Sequence, residues 1–422
     1  MPMARARSVV VVGGGVIGLC AAHYAAERGH RVRVIDRGGP EDENCSFGNA
    51  GLIVPSHFVP LAAPGMVALG LKWMWKPRSP FHVKPRLSLE LFQWGWSFCK
   101  AASPARAARA APVLRDLSLA SRAAYEALAA VPGMDFGLEK RGLLALTRSK
   151  AALEEEAKTA REARALGLEA EVLSAEETTK LEPGIRMDIA GAVYFPQDCH
   201  VVPGRLMVGL RRLLERAGVE ISWSTEAVGW RVRGKRIDAV QTPRGEVAGD
   251  EFVICCGSWS KALARGLGVR LPLEAGKGYS LTLPRPRRLP AIPALLIEAR
   301  VAVTPMAGSL RFGGTMEMSG LDESISAPRV DAIVDAAVRY FPELTREDFQ
   351  GVAPWRGLRP CSPDGLPYVG RTKACENLVV ATGHAMLGLS LGPITGKLVA
   401  EIISGETPSS DIQLLNPDRY TS

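Results

Sequence analysis

The chain of 422 residues lacks several features that mark specialised protein classes. Its eight cysteines include no C-x-x-C pair, and its six histidines are dispersed without metal-ligand spacing. The net charge is +8, but the arginines are scattered rather than gathered with aromatics into one basic run, which argues against nucleic-acid binding. No apolar run is long enough to span a bilayer. The cysteine pattern predicts free thiols in a reducing compartment.

What remains is an ordinary globular composition, with 47% hydrophobic and 23% charged residues, at a length that favours two domains. The first thirty-seven residues carry the clearest pattern. Residues 9–12 predict a buried strand, residues 21–28 a helix and residues 31–35 a second strand. Between the first strand and the helix stand Gly13, Gly15 and Gly18, in G-x-G-x-x-G spacing.

This βαβ unit has the dinucleotide-binding fingerprint. Gly13 permits a tight turn, Gly15 lets the backbone approach a pyrophosphate, and Gly18 lets the helix lie close to the strand. Asp36 ends the second strand, where its carboxylate can accept hydrogen bonds from ribose hydroxyls and disfavours the 2′-phosphate of NADP. The alternative is a glycine-rich turn that binds no ligand.

Small residues at 46–51 predict a loop held against a ligand, with a plain surface loop as the alternative. The segment 58–100 contains four tryptophans among several prolines: Trp73, Trp75, Trp94 and Trp96, with Pro64, Pro77, Pro80 and Pro85. We expect an irregular segment that covers the core. The other interpretation is an apolar lid, or a patch that docks to a membrane or a quinone.

The rest of the chain alternates between helical and strand patterns. Helices are predicted at 112–128, 150–166, 201–218 and 329–340, strands at 191–194 and 252–257, and an antiparallel sheet at 271–319. Ser174 and Glu177 fit a capping box. Near the end, residues 377–384 predict a strand that runs into a glycine turn, and residues 388–403 a helix. A helix N-terminus there would face the same ligand.

Taken in order, these motifs resemble those of the D-amino acid oxidase-like FAD flavoproteins. Within that superfamily the chain looks most like the bacterial D-amino acid dehydrogenases, including those that act on D-hydroxyproline, and somewhat less like glycine oxidase. The resemblance rests on the glycine unit of residues 13–18, the loop 46–51, the turn 256–259, Gly357-Leu358-Arg359-Pro360, Pro363-Asp364-Gly365 and Thr382-Gly383-His384.

The resemblance implies an α/β fold, α+β overall, in which a discontinuous Rossmann-type FAD-binding domain accompanies a substrate-binding domain of antiparallel sheet and helices. The expected FAD-binding ranges are 1–90, 190–265 and 350–422, and the substrate-binding ranges are 91–189 and 266–349. FAD is expected to bind without a covalent link. The N–H groups of the last helix would stabilise negative charge on the reduced flavin.

Carried over residue by residue, the resemblance implies a cofactor set in which the glycines hold the pyrophosphate, Asp36 the ribose and Val228 the adenosine through its backbone. The full set is Gly13, Gly15, Val16, Ile17, Gly18, Asp36, Arg37, Ser46, Asn49, Ala50, Gly51, Leu52, Val228, Cys256, Gly257, Trp259, Gly383, Met386, Leu387, Gly388, Leu389 and Ser390. No metal site is expected.

Four residues are candidates for contact with the substrate. Arg359 is expected to pair with a substrate carboxylate, rather than to tie down a loop. Tyr279 is a second donor to that carboxylate, or a packing tyrosine. His57 and His384 are candidates to touch the flavin or the substrate, with a hydrogen-bonded structural histidine as the alternative for each.

The activity implied is oxidation of a D-amino acid or cyclic D-imino acid to the imine and then the 2-oxo acid, with electrons passing to a quinone or another non-oxygen acceptor. The last turn, with Ala385 and Leu389, departs from the usual G-H-G-x-L-G-W and favours a proline-like substrate. An oxygen-using glycine or sarcosine-type oxidase and a flavin-bearing relay subunit remain alternatives. The expected location is the cytoplasm, with peripheral contact at the inner face of the membrane as an option.

Overall fold

The computed structural model describes residues 6–42, 44–74, 78–84 and 86–421. Trp75, Pro77 and Pro85 of the tryptophan-rich segment lie outside the described residues. In the described part of the chain there are ten α-helices: α1 (Val16–Glu27), α2 (Met66–Met74), α3 (Leu89–Ala101), α4 (Pro104–Ala129), α5 (Lys150–Ala165), α6 (Ala175–Leu181), α7 (Pro203–Arg216), α8 (Ser260–Arg265), α9 (Ala327–Tyr340) and α10 (Gly392–Ser404).

The same residues form twenty strands, several of them only two or three residues long. They are β1 (Ser8–Val12), β2 (Arg31–Ile35), β3 (Leu52–Ile53), β4 (Phe81–Val83), β5 (Leu143–Thr147), β6 (Glu171–Ser174), β7 (Gly191–Phe195), β8 (Cys199–His200), β9 (Glu220–Ser222), β10 (Gly229–Arg233), β11 (Arg236–Thr242), β12 (Gly245–Ala248), β13 (Glu251–Ile254), β14 (Glu274–Leu283), β15 (Ala294–Leu296), β16 (Val301–Met306), β17 (Ser309–Met318), β18 (Trp355–Cys361), β19 (Tyr368–Arg371) and β20 (Leu378–Thr382).

A six-stranded sheet carries the first βαβ unit, in the order β19-β20-β13-β1-β2-β9. All neighbouring pairs are parallel except β19 with β20. Val9 and Val11 pack into the core cluster with α1, α7 and α10, whereas Val10 and Val12 pack on the opposite face with β11 and β13. Burial on both faces explains why β1 is an uninterrupted apolar run.

A nine-stranded sheet forms the second layer, in the order β18-β14-β17-β16-β15-β5-β7-β6, with β4 paired to β17. Most of its pairs are antiparallel, as expected for 271–319; β15 with β5 and β17 with β4 are parallel. The mixed α/β architecture predicted from the sequence is therefore confirmed.

Several elements cross the predicted domain boundaries. Strands β4, β7 and β18 fall inside the ranges expected for the FAD-binding domain, yet each pairs within the nine-stranded sheet. Helix α4 falls in the range expected for the substrate-binding domain, yet it packs against α10. The boundaries at 90, 190 and 350 thus differ from sheet membership, because partners far along the chain decide where each element pairs, whereas the boundary at 265 agrees with it.

Some predicted element bounds were also wrong. Helix α1 begins at Val16 rather than at 21, because Gly15 is its extended N-cap and burial outweighs the low helix propensity of valine and isoleucine. Helix α4 begins at Pro104, with Ser103 as its cap, and includes Pro112. Helix α10 begins at Gly392, since a 3₁₀ turn (Ala385–Leu387) precedes it. The segment 58–100 holds α2, β4 and α3 rather than irregular chain.

Among the residues that the structure describes, no helix is long and apolar enough to cross a membrane. The predicted capping box is confirmed: Ser174 Oγ accepts from the Glu177 N–H, and the Glu177 carboxylate accepts from the Ser174 N–H.

Candidate functional site

A cavity of about 920 Å³ runs between the two large sheets. It lies at the edge where β1, β2, β13 and β20 end, because the carboxyl ends of parallel strands meet at one edge of a sheet. From there it extends to residues of β14, β17 and β18. One cavity therefore joins the glycine-rich turn to the sheet that carries Arg359.

The glycine-rich turn has the close contacts that only glycine permits. Gly13 has a φ of +117°, and a Cβ on it would lie 2.5 Å from the Cys255 carbonyl oxygen. A Cβ on Gly18 would lie 1.8 Å from the carbonyl oxygen of Gly13, so α1 packs directly on the turn. Gly15 lines the cavity at the N-cap of α1.

Asp36 lines the cavity beside this turn. Its Oδ2 accepts from the Gly14 N–H at 2.5 Å and its Oδ1 from the Gly38 N–H at 2.7 Å, which fixes the carboxylate. The next residue, Arg37, places its guanidinium carbon 3.7 Å from the centre of the Trp259 ring. A fixed carboxylate beside a glycine-rich helix N-terminus fits the ribose and pyrophosphate of a dinucleotide.

The loop 44–50 is held from both sides. Ser46 Oγ accepts from the Val16 N–H at 3.0 Å, which connects the loop to the start of α1. Arg311, on β17, donates through Nη1 to the carbonyl oxygens of Phe47 and Asn49 at 2.9 and 2.7 Å. Because α1 and β17 both hold the loop, Ser46, Asn49 and Ala50 form part of the cavity wall rather than a plain surface loop.

The turn after β20 supplies another wall. His384 is buried, and its Nε2 lies 3.0 Å from Thr395 Oγ1. Burial lowers the pKa of His384 to about 3, so the ring is neutral at pH 7. Ala385 has a φ of +46°, a conformation that favours glycine. His384 lines the cavity, as do Met386, Leu387, Gly388 and Leu389.

Arg359 lies in β18 with its guanidinium against Gly278, where a Cβ would meet it at 2.1 Å. Its Nη1 donates to the carbonyl oxygen of Thr315 at 2.8 Å, and no described carboxylate pairs with it. Burial lowers its pKa from the ordinary value. A half-buried guanidinium in a cavity wall, with no described carboxylate paired to it, is suited to bind an anion.

Tyr279 also lines the cavity, but its hydroxyl is engaged elsewhere. The hydroxyl donates to Glu317 Oε2 at 2.8 Å and accepts from the Ser326 N–H at 3.3 Å. Burial, together with the Glu317 carboxylate, raises the pKa of Tyr279. Glu317 in turn pairs with Arg329 at 3.3 Å and Lys277 at 3.9 Å. The structure therefore gives Tyr279 a structural partner.

His57 follows β3 and lines the cavity. Its Nδ1 lies 3.2 Å from Ser56 Oγ. Burial, with a further contribution from the nearby Arg300 guanidinium, lowers the pKa of His57 to about 4. All four residues predicted to contact the substrate thus share one cavity.

Most of the predicted cofactor residues line this cavity. They are Gly13, Gly15, Val16, Ile17, Asp36, Arg37, Ser46, Asn49, Ala50, Leu52, Val228, Cys256, Gly257, Trp259, Met386, Leu387, Gly388 and Leu389. The Val228 N–H donates to the carbonyl of Gln241 at 2.9 Å, which leaves its own carbonyl as the backbone group for the predicted contact with adenosine.

Four predicted cofactor residues lie behind the wall and support it. Gly18 packs on Gly13, and Gly51 has a φ of +77° with space for a Cβ blocked by Val201. Gly383 packs against Tyr368 in the same way. The Ser390 hydroxyl accepts from the Val54 N–H at 3.1 Å.

Sequence reasoning missed several wall residues that come from distant segments: Cys45, Trp73, Trp223, Arg300, Thr315, Glu323, Trp355 and Arg356. Trp355 packs against Gly48 and Gly357, where a Cβ would meet its ring at 2.0 and 2.1 Å. The two glycines were visible as motif members, but their common aromatic partner was not.

The described tryptophans of the segment 58–100 lie in three different environments. Trp73 lines the cavity. Trp94 is buried, and its Nε1 donates to the Cys361 carbonyl at 2.9 Å. Trp96 is 58% exposed. The segment therefore contributes to both the wall and the surface.

Known proteins resemble this chain over its whole length. The sequence model of the family described as FAD dependent oxidoreductase (DAO) matches residues 8–402. D-amino acid dehydrogenase of Paramagnetospirillum magneticum is 33% identical, covering 98% of this chain and 99% of that protein. D-amino acid dehydrogenase of Cereibacter sphaeroides is 32% identical, covering 98% and 95%.

Among solved structures, glycine oxidase from Geobacillus kaustophilus is similar with a TM-score of 0.78, 25% identity and 98% of each chain covered. L-proline dehydrogenase from P. horikoshii has the same fold, with a TM-score of 0.74 at 16% identity, covering 99% of this chain and 98% of that one. The family match takes in both the glycine-rich turn and the strand of Arg359. This chain belongs to the FAD dependent oxidoreductase family of the D-amino acid oxidase type.

Proposed function

We propose that the protein is an FAD-dependent D-amino acid dehydrogenase that oxidises a D-amino acid or a cyclic, proline-like D-imino acid. The observation that carries the proposal is the single cavity that joins the dinucleotide turn of Gly13 to the uncompensated guanidinium of Arg359. The full-length relatives named D-amino acid dehydrogenase support the same activity.

FAD would be held at the pyrophosphate by the turn 13–18, at the ribose by Asp36, and along the ring by the loop 46–50 and the turn 386–389. When bound, FAD accepts two electrons from the amine-bearing carbon and supplies the redox chemistry. We place the FAD-binding domain on the six-stranded sheet and the substrate-binding domain on the nine-stranded sheet.

The protein's own contribution is to bind and orient the substrate. The forked guanidinium of Arg359 would bind both oxygens of a substrate carboxylate. The Thr315 carbonyl already fixes one edge of that guanidinium, so its orientation is set before the substrate arrives. His57 and His384 are neutral and add no positive charge at this wall, so a substrate carboxylate would pair with a guanidinium rather than with an imidazolium.

An apolar turn favours a substrate with a compact apolar ring. Met386, Leu387 and Leu389 line the cavity beside Ala385, and the methyl group of Ala385 adds bulk at its positive-φ position. A cyclic imino acid offers a carboxylate for Arg359 and methylene groups for this turn. The imine product of a cyclic substrate stays cyclic; an open-chain imine is hydrolysed to the 2-oxo acid and ammonia.

The outer face of α3 is the proposed point of contact with a membrane and, through it, with a quinone or other non-oxygen acceptor. Leu89, Phe92 and Trp96 recur at helical spacing and are 72%, 70% and 58% exposed, and the adjoining Leu87 is fully exposed. Trp94 anchors the other face in the core. An amphipathic helix of this kind binds in the interface of a bilayer, here at the cytoplasmic side.

Steady-state assays separate this proposal from its main alternative. With D-proline as substrate and a quinone or dye as acceptor, we expect turnover without peroxide. Stoichiometric peroxide in air would favour an oxygen-using oxidase, the alternative that the similarity to glycine oxidase supports.

The membrane contact is tested separately. Phe92→Ser with Trp96→Ser should abolish co-sedimentation with anionic vesicles and leave turnover with a water-soluble dye unchanged. Equal co-sedimentation of this variant and the unaltered protein would contradict the membrane contact.

A further inference from the structure

A chain of three polar groups runs from the protein interior to the cavity wall. Asp198, in the turn between β7 and β8, is buried at 1% exposure. Its Oδ1 accepts from the Ser56 N–H at 3.1 Å, and its Oδ2 accepts from the Ser56 hydroxyl at 2.5 Å. Ser56 Oγ lies 3.2 Å from His57 Nδ1, and the His57 ring lines the cavity.

Hydrogen counting fixes the ring tautomer of His57. The serine hydroxyl has one hydrogen, and it points to Asp198 when that carboxyl is ionised. Ser56 Oγ then presents only a lone pair to His57, so Nδ1 must carry the ring hydrogen and Nε2 is bare. Nε2 lies on the ring edge away from Ser56, and no described residue bonds to it.

Protonation of Asp198 reverses the chain. The carboxylic acid would donate to Ser56 Oγ, and the serine hydrogen would turn toward His57 Nδ1. The ring hydrogen would then sit on Nε2, which would become a donor. The protonation state of the Asp198 carboxyl therefore decides whether His57 Nε2 is a hydrogen-bond acceptor or a donor in the cavity.

We propose that Asp198 and Ser56 select the tautomer of His57 so that its bare Nε2 accepts a hydrogen bond from the substrate's amine. This inference rests on the proposed function, because it needs an amine substrate with its carboxylate on Arg359. Asp198 and Ser56 are positioning residues; His57 touches the substrate. A bare Nε2 matches an amine N–H, whereas an Nε2–H would face it hydrogen to hydrogen.

The surroundings of Asp198 and His57 bring the change of the His57 tautomer to a pH near neutrality. Burial raises the pKa of Asp198 to about 7, against the lowering effects of its Ser56 hydrogen bonds and of Arg122 on α4. Arg300, in the turn between β15 and β16, is the charged group that faces His57, and with burial it keeps that ring neutral. Between pH 6 and pH 8, Asp198 therefore titrates while His57 stays uncharged.

Nitrogen-15 histidine NMR on the FAD-loaded protein reads the tautomer directly, with His57→Ala assigning the signal. We expect Nδ1–H above about pH 7 and Nε2–H below it. In Asp198→Asn, the amide oxygen would keep the bond from the Ser56 N–H, and the amide nitrogen would donate to Ser56 Oγ. This variant should therefore hold His57 as Nε2–H at every pH.

Kinetics then test whether the tautomer matters to the substrate. We expect kcat/KM for D-proline to rise through pH 7 in the unaltered protein, and to be about tenfold lower at pH 8 in Asp198→Asn, without that step. Ser56→Ala should also remove the step, because it removes the hydroxyl that links Asp198 to His57. Cys199→Ala, at the neighbouring buried position, is the matched control and should keep both the step and the tautomer change.

Two results would overturn the proposal. If the tautomer of His57 changed neither with pH nor in Asp198→Asn, the coupling between Asp198 protonation and the His57 tautomer would be refuted. A tautomer that responds while the kcat/KM profile of Asp198→Asn keeps its step would refute the contact with the amine. If no amine reduced the flavin, the proposed function would fail and the amine contact with it, whereas NMR would separately decide the coupling.

Discussion

Arg359 and Thr315 meet across the candidate site, where Nη1 of the arginine donates to the threonine carbonyl at 2.8 Å. Thr315 has a φ of +69°, which is rare for a β-branched residue. The two residues belong to β18 and β17, which lie on either side of β14 in the nine-stranded sheet. The hydrogen bond to Thr315 holds one edge of the Arg359 guanidinium and leaves its other donors for a ligand.

Replacement of Arg359 tests its role in carboxylate binding. We expect Arg359→Ala to lower kcat/KM about a hundredfold, by roughly 3 kcal/mol, because the substrate carboxylate loses its charged partner in the cavity wall. Most of the loss should appear in KM. Arg359→Lys should recover part of it, since it keeps the charge and loses the fork. Arg265→Ala, which breaks a surface pair with Glu90, is the control. Unchanged KM in Arg359→Ala would sink the assignment.

Gly18 tests the dinucleotide turn. The methyl group of Gly18→Ala would lie 1.8 Å from the Gly13 carbonyl oxygen, so α1 must move away from the turn. We expect FAD to bind at least about tenfold more weakly, seen as a lower ratio of flavin to protein absorbance after purification. Gly95→Ala on α3 meets nothing within 4 Å and should retain full flavin. Equal flavin content in both variants would contradict the contact.

The turn at 383–385 offers a reciprocal pair of substitutions. Ala385 has a φ of +46° and Gly383 a φ of +81°. Ala385→Gly should raise stability by about 1 kcal/mol, because the left-handed conformation costs an alanine about that much. Gly383→Ala should lower it by more, since its methyl group would also lie 2.8 Å from the Tyr368 ring. Urea unfolding measures both; shifts of the same sign would argue against the turn's geometry.

Acid should destabilise the protein through His384. Its pKa is about 3 in the folded protein and near the ordinary value when unfolded, so the unfolded state binds the extra proton as pH falls below 6.5. Stability from this group is complete above that pH and declines toward pH 3, by about 2 kcal/mol at pH 5. His384→Gln should show a smaller loss between pH 7 and pH 5 by urea unfolding. An equal loss in this variant would contradict the assignment.

The features of the structure that could be predicted from the sequence are those determined by residues close together along the chain. Val9 to Val12, the three glycines and Asp36 lie within one βαβ unit, so spacing alone indicates their arrangement. The capping box of Ser174 and Glu177 is similarly local. Local patterns thus placed the dinucleotide turn before any three-dimensional information.

Contacts between distant segments escaped prediction. Ser56 and Asp198 are 142 residues apart, and Tyr279 and Glu317 are 38 apart. No periodicity relates such pairs, because strand pairing brings them together: β3 pairs with β8 beside Ser56 and Asp198, and β14 pairs with β17 in the nine-stranded sheet. The same pairing moved β7 and β18 across the predicted domain boundaries.

The most direct test of the proposed activity is anaerobic. The purified, FAD-loaded protein is mixed with D-amino acids, L-amino acids and cyclic imino acids in turn, while flavin absorbance is followed. The account predicts that D-amino acids or D-proline derivatives bleach the flavin, and that Arg359→Ala needs much higher concentrations for the same bleaching. A flavin that stays oxidised with every amine would contradict a dehydrogenase and favour a relay subunit without a substrate of its own.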